Sequence, residues 1–148
     1  MNSVAEDKMW DGFADAIVQV ALARGPAVLV PRPVGRVGVF PFHRPVHILT
    51  AYNPAGRVID AADNEARHDA LASALAGNRV FPTVGSAADG TFREPGYGLL
   101  EGDLQEAIEL ARVFGQRAIY RWTPDVLSVI GVDEEVQIDL GWTLQDLG

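Results

Sequence analysis

The stretch Asn64-Glu65-Ala66-Arg67 combines residue types and spacing that could do chemistry. On a helix, Asn64 and Arg67 share a stripe with Leu71 and Leu75, and this stripe should face the core. A guanidinium turned toward a core needs a compensating group, because an unpaired buried charge costs several kcal/mol. A guanidinium in this position pairs with a carboxylate, binds an anion, or extends back to the solvent. We therefore predict that Arg67 turns inward and finds a negative or dipolar partner.

Polar residues at the ends of predicted elements make up a candidate ligand-binding site. Its members are Asn53, Asn64, Arg67, Glu94 and Gln116. If the helix crosses a sheet that contains the strands of Asn53 and Glu94, then Glu94 is the best carboxylate for Arg67. The helix N-terminus adds partial positive charge, so a phosphate or carboxylate could bind beside Arg67.

A structural network is the other interpretation of the same residues. In this interpretation Arg67 and Glu94 form an ion pair. Asn53 closes a turn, and Gln116 satisfies the backbone at a helix exit. Polar networks that only fix a fold are common, so the sequence favours this second interpretation and leaves catalytic residues unassigned.

The sequence contains no residue pattern typical of a metal site or of a catalytic nucleophile. The chain has no cysteine, which excludes disulfides, thiolate catalysis and cysteine-bound clusters. His43 and His47 lie in a proline-interrupted extended region, where a four-residue spacing does not bring two ligands together, and His68 stands apart. Helix capping explains Asp60 and Asp63 more simply than a cation site does. We predict no metal and no cofactor.

The composition describes one globular domain. The 148 residues are 48% hydrophobic and carry a formal net charge of -8. This charge opposes attraction to phosphate backbones, which argues against a nucleic-acid partner. No segment approaches the ~20 apolar residues of a membrane span, and Glu6 and Asp7 stand where a signal peptide would be basic. We expect a single cytoplasmic domain, residues 1–148, without a membrane segment.

Three helices are predicted from apolar residues at helical spacing. Their expected bounds are 3–24, 63–76 and 104–115. Ser3 and Glu6 form a capping-box pattern at the start of the first helix, and Asp103 with Glu106 forms a similar one at the third.

Strands and turns are predicted between the helices. The expected strand bounds are 27–30, 37–42, 46–53, 79–84, 91–100, 118–122 and 126–132. Asp89-Gly90 predicts a hairpin, while Pro95, Gly96 and Gly98 predict a bulge or a close approach by another backbone. Residues 133–148 are expected to form an acidic tail with a short strand at 136–140. The pattern predicts an α+β fold, in which a mainly antiparallel sheet has two or three helices packed on one face.

Four separated motifs resemble one protein family. They are Ile48–Pro54, Asn64–Arg67 with Leu71, Phe81–Gly85, and Arg112–Ile119. In this order they resemble the bacterial family catalogued as domain of unknown function 3293, over roughly residues 46–132. The resemblance implies a shared fold and a shared pocket, and it names no activity. The N-terminal helix and the acidic tail lie outside it.

Two classes of function fit these observations. The sequence favours a non-enzymatic interaction or accessory protein whose polar cluster is structural. The alternative is a protein that binds an anionic small molecule or nucleotide, as a binding protein or as an enzyme. In that case Arg67 holds the anion and Glu94 is its partner or a general base. The expected partner is thus a protein or an anionic small molecule.

Overall fold

The computed structural model describes residues 4–148, with side chains from residue 8 onward. The helices in this part are α1 (Val4–Asp15), α2 (Ala61–Ala74) and α3 (Leu104–Val113), with a short 3-10 helix at Pro54–Gly56. The strands are β1 (Ile17–Leu22), β2 (Gly25–Arg32), β3 (Arg36–Val37), β4 (Val46–Thr50), β5 (Val80–Ser86), β6 (Glu94–Leu99), β7 (Ala118–Trp122), β8 (Leu127–Gly131) and β9 (Gln137–Asp146).

Eight of these strands form a closed antiparallel barrel. Neighbours follow the order β2-β1-β5-β6-β4-β7-β8-β9, and β9 then pairs with β2. The closing register runs from Ala27 opposite Asp146 to Arg32 opposite Gly141, and the two-residue strand β3 joins β9 in parallel. The prediction of an open α+β sheet with helices packed on one face is therefore wrong.

The error has its source in β9, which occupies most of the predicted acidic tail. β9 pairs with β8 on one side and with β2 on the other, so it closes the sheet. Its apolar residues recur at every second position, in the series Ile138, Leu140, Trp142 and Leu144. This alternation turns one face of the strand toward the barrel interior, where Trp142 is fully buried.

Aromatic rings fill one end of the barrel interior. Phe40 and Phe42, between β3 and β4, contact Trp122 with ring-centroid distances of 5.2 and 5.6 Å. Trp142 lies 5.4 Å from Trp122, and Phe42 stacks on Phe81 at 5.2 Å. The strand predicted over this segment is thus mostly a loop, and its two phenylalanines close this end of the barrel.

Two helices begin at aspartate caps close to their predicted bounds. The side chains of Asp60 and Asp103 accept hydrogen bonds of 2.9 Å from the backbone N–H groups of Asp63 and Glu106. Both helices then pack on the outside of the barrel over β4, β7 and β8. The buried residues of this outer core include Leu71 and Leu75 of α2, Ala107 and Ala111 of α3, and Leu49, Ile119 and Ile130 of the strands.

The helix α1 covers the other end of the barrel. Trp10 is buried against Ala118 and Val129, and the Tyr120 hydroxyl donates a hydrogen bond of 2.8 Å to the carbonyl of Phe13. The predicted helix 3–24 is too long, because its second half forms β1, which pairs with β2 and β5. Ser3 of the predicted capping box lies outside the described residues. None of the helices described here has the length and apolar character needed to cross a bilayer.

Candidate functional site

Two asparagines organise the exit of β4. Asn53 has a left-handed backbone, with φ of 49°, a conformation that asparagine adopts more readily than most residues. Its side-chain oxygen accepts hydrogen bonds from the Ile59 N–H at 3.2 Å and from the Asn64 amide at 2.9 Å. The oxygen of the buried Asn64 side chain accepts one from the Asn53 N–H at 2.8 Å. These bonds hold the connection between β4 and α2 in one conformation.

Glu94, at the start of β6, joins this cluster through Asn53. The amide of Asn53 donates a hydrogen bond of 2.9 Å to Oε1 of Glu94. Burial raises the pKa of Glu94 above the ordinary value of 4.5, and the hydrogen bond from Asn53 partly opposes that rise. The carboxyl group therefore keeps its proton to a higher pH than an exposed glutamate does.

Arg67 donates its hydrogen bonds to backbone carbonyls. Its Nε donates to the Ala51 carbonyl at 2.7 Å, and one terminal nitrogen donates to the Phe114 carbonyl. The ion pair with Glu94 that the sequence suggests is absent among the described residues, since Glu94 is bonded to Asn53 instead. The guanidinium has dipolar partners, and it links α2 to the exits of β4 and α3.

Gln116 follows α3 and bonds to the same region. Its amide nitrogen donates to the Tyr52 carbonyl at 3.0 Å and to the Phe114 carbonyl at 3.3 Å. Phe114 thus accepts from both Arg67 and Gln116. The structure brings all five candidate residues to the exits of β4 and α3. One group is Asn53, Asn64 and Glu94, and the other is Arg67 and Gln116. The segment after β4 joins the groups, because residues 51–53 bond to both.

A cavity of about 300 Å³ lies between α1 and the barrel interior. At the opposite end aromatic rings fill the barrel, whereas here the wall contains small residues, among them Gly85, Ala87 and Ala118. Of the five candidate residues, Glu94 and Gln116 line the cavity. The other three lie outside its wall and hold the polar cluster together.

The remaining wall of the cavity is mostly apolar. Met9, Gly12 and Phe13 of α1 contribute to it, and the further polar side chains are those of Thr50, Thr83, Ser86 and Tyr120. Burial raises the pKa of Tyr120, and the nearby charge of Glu94 raises it further, so this phenol stays protonated. Among the wall residues that the structure describes, Glu94 is the one with a charged side chain.

Phe92 stands at the rim of this cavity. Its side chain is 80% exposed, and its φ of 56° is left-handed. For a bulky residue this conformation is strained, by roughly 1–3 kcal/mol, and such strain concentrates at binding sites. The ring is therefore held at the cavity mouth by a backbone conformation that the local sequence does not favour.

The sequence reasoning missed most of the cavity wall. Its residues come from α1 and from β1, β4, β5, β6 and β7, which are separated along the chain and become neighbours only in the paired sheet. One signal was available in Gly85-Ser86-Ala87, a run of small residues at the end of an apolar strand. Among the side chains of residues 8–148, no group of three or more from histidine, aspartate and glutamate is arranged to hold a metal ion.

Comparisons with known proteins identify one family. The family model described as "Protein of unknown function (DUF3293)" matches residues 49–119. This confirms the resemblance seen in the four motifs, and the matched segment contains all five candidate residues. No curated protein and no solved structure matches the chain.

Proposed function

We propose that this chain, whose residues 49–119 match the DUF3293 family model, is a small-molecule-binding protein whose ligand occupies the cavity beneath α1. The family has no assigned activity, so the proposal depends on the geometry. One observation carries it: the barrel is filled by aromatic rings at one end and unfilled at the other.

The size of the space supports a small ligand. An eight-stranded barrel has an interior just wide enough to be filled by side chains or to hold one small molecule. Ligand pockets have volumes of roughly 300–1,000 Å³ and are mostly apolar with a few polar groups. The volume of the cavity beneath α1 is at the lower end of this range, and Glu94 and Gln116 supply polar groups in its wall.

An anionic ligand on Arg67 is not the function that this geometry favours. Arg67 lies outside the wall of the cavity and donates to the carbonyls of Ala51 and Phe114. The described wall contains a carboxyl group and no cationic side chain. The ligand we propose is therefore largely apolar, with its polar part near Glu94. This proposal takes up the small-molecule alternative of the sequence analysis, with a different ligand class.

A cavity-filling variant tests this proposal. Gly85 is paired with Val18 across β1 and β5, so a side chain at position 85 shares the inward face of Val18. We expect the neutral fluorescent probe N-phenyl-1-naphthylamine to bind the wild-type chain saturably. The Gly85→Leu variant should bind it at least about tenfold more weakly, because the leucine takes up the same space.

Two control variants distinguish loss of the cavity from loss of the fold. Ala21→Leu adds the same side chain at an exposed position of β1, and Ala62→Leu adds it at an exposed position of α2. Both should keep the affinity of the wild type, as measured by fluorescence titration. If the probe fails to saturate the wild type, or if Gly85→Leu binds it equally well, the proposal is wrong.

A further inference from the structure

The free polar atoms in the cavity indicate what kind of ligand it takes. We propose that the ligand carries a protonated amine on an apolar body, and that its ammonium group binds the free carboxylate oxygen of Glu94. This inference rests on the proposed function and specifies its ligand class. It follows from a count of hydrogen-bond donors and acceptors in the wall.

The donors of the wall are mostly in use. The hydroxyl groups of Thr50, Ser86 and Tyr120 donate to the carbonyls of Pro95, Ala87 and Phe13 respectively. The Gln116 amide nitrogen donates to two further carbonyls. Thr83 is the exception, since its hydroxyl bonds to no other residue among those described and can donate or accept.

Acceptor oxygens are left free on two side chains. The described hydrogen bonds use Oε1 of Glu94 and the amide nitrogen of Gln116, and they leave Oε2 of Glu94 and Oε1 of Gln116 without a protein partner. Neither oxygen is among the fully buried unpaired atoms of residues 8–148, so both are accessible. A ligand that fits this wall must therefore bring donors, and an ammonium group brings three.

Both acceptors are held in fixed positions. Glu94 is bonded to the side chain of Asn53, which is bonded in turn to Asn64. Gln116 is bonded to the carbonyl of Tyr52, the residue before Asn53. The polar cluster at the exit of β4 thus orients the two oxygens before a ligand arrives, which reduces the entropy lost on binding.

Charge distinguishes an amine from a neutral donor such as an alcohol. Glu94 is the charged group of the described wall, and the chain as a whole carries a formal net charge of -8. The partial burial of Glu94 disfavours its ionised form, and a cation in contact with the carboxylate reverses this effect. Charge-assisted hydrogen bonds are also about twice as strong as neutral ones.

Three probes of one shape test the inference on the full-length chain. They are 2-phenylethylamine, 2-phenylethanol and phenylacetate, which share a phenyl ring and differ in their polar end. We expect the amine to displace N-phenyl-1-naphthylamine from the wild type at least about tenfold more effectively than the alcohol does. Phenylacetate should be the weakest, because its carboxylate meets Glu94.

The variant Glu94→Gln keeps the shape of the side chain and removes its charge. It should bring the amine to within about threefold of the alcohol, while Glu65→Gln, at an exposed position of α2, should preserve the wild-type order. An unchanged unfolding midpoint would show that both variants are folded.

The outcomes separate the two proposals. If the wild type binds the amine and the alcohol equally, or if Glu94→Gln keeps the preference, the amine inference is overturned and the cavity remains a binding site. If the wild type binds the naphthylamine probe but none of the three phenyl compounds, the amine inference is also overturned. If no compound binds, including the naphthylamine probe, both proposals are wrong.

Discussion

At the scale of single residues, the sequence identified side chains that make specific contacts and left most of their partners open. Asn53, Asn64, Arg67, Glu94 and Gln116 all form described hydrogen bonds at the exits of β4 and α3. The partner of Arg67 could not be predicted, because it donates to carbonyl groups, and every residue carries one. The sequence left a negative and a dipolar partner open for Arg67, and the structure has the dipolar one.

His47 supplies a prediction at this scale, because it is buried without a hydrogen-bond partner. Its side chain is 2% exposed on β4, and neither ring nitrogen bonds to a described residue. The pKa of His47 falls from 6.5 to about 4, chiefly because of burial; the charges of Arg121 and Arg44 also lower it, and that of Asp103 opposes the fall. The folded protein thus keeps this ring neutral at pH values where the unfolded chain protonates it.

The free energy of unfolding should therefore fall as the pH drops from 6.5 toward 4, and His47 should stop contributing to the slope below that range. Urea denaturation at a series of pH values measures this. We expect His47→Leu to flatten the slope, whereas His43→Leu, at an exposed position, should leave it unchanged. An identical slope in wild type and His47→Leu would contradict the expectation.

At the scale of elements, the local sequence predicted several bounds of helices and strands correctly. The strand predicted at 118–122 is β7, and the capped starts of α2 and α3 lie close to prediction. The first helix was predicted too long because Ile17, Val20 and Ala21 recur at helical spacing. Ile17, Val18 and Val20 are also β-branched, which favours a strand. Pairing of β1 with two neighbours decided for the strand.

The glycines of β6 give a test at this scale. The sequence predicted a bulge or a close approach by another backbone, and the structure has the second, since a Cβ at Gly96 would lie 2.3 Å from the Leu49 carbonyl oxygen. We expect Gly96→Ala to lower the free energy of unfolding by about 3 kcal/mol or more, because the paired strand β4 would have to move.

Gly85→Ala is the matched control on the neighbouring strand. A Cβ at Gly85 comes no closer than 3.9 Å to the Glu94 carbonyl oxygen, so its unfolding free energy should stay within about 1 kcal/mol of the wild type. Equal effects of the two substitutions in urea denaturation would argue against the close contact between β4 and β6.

At the scale of the whole molecule, one strand decides the architecture. β9 pairs with β8 and β2, and without it the sheet would be open along both of these strands. The cavity wall uses α1 and the consecutive neighbours β1, β5, β6, β4 and β7, so β9 contributes no residue to it. Closure of the sheet is therefore the requirement that β9 meets.

Truncation of Trp142 tests that requirement. Its ring is fully buried among the aromatic residues of the barrel, and its Nε1 donates to the Thr123 carbonyl at 3.0 Å. We expect Trp142→Ala to lower the free energy of unfolding by about 3–5 kcal/mol, whereas the exposed Leu147→Ala should change it by less than about 0.5 kcal/mol. Equal stability of Trp142→Ala and Leu147→Ala in urea denaturation would contradict this expectation.

The sequence by itself determined the local features of this protein: the caps of α2 and α3, the strand β7, the family resemblance of residues 49–119 and the polar residues that gather after β4. Each depends on residues near one another in the chain or on a motif. Only the tertiary structure decided that the sheet closes, that Arg67 bonds to carbonyls, and that Glu94 faces a cavity. The physical reason is that strand pairing and burial join residues far apart in sequence, and local spacing carries no record of which partners they meet.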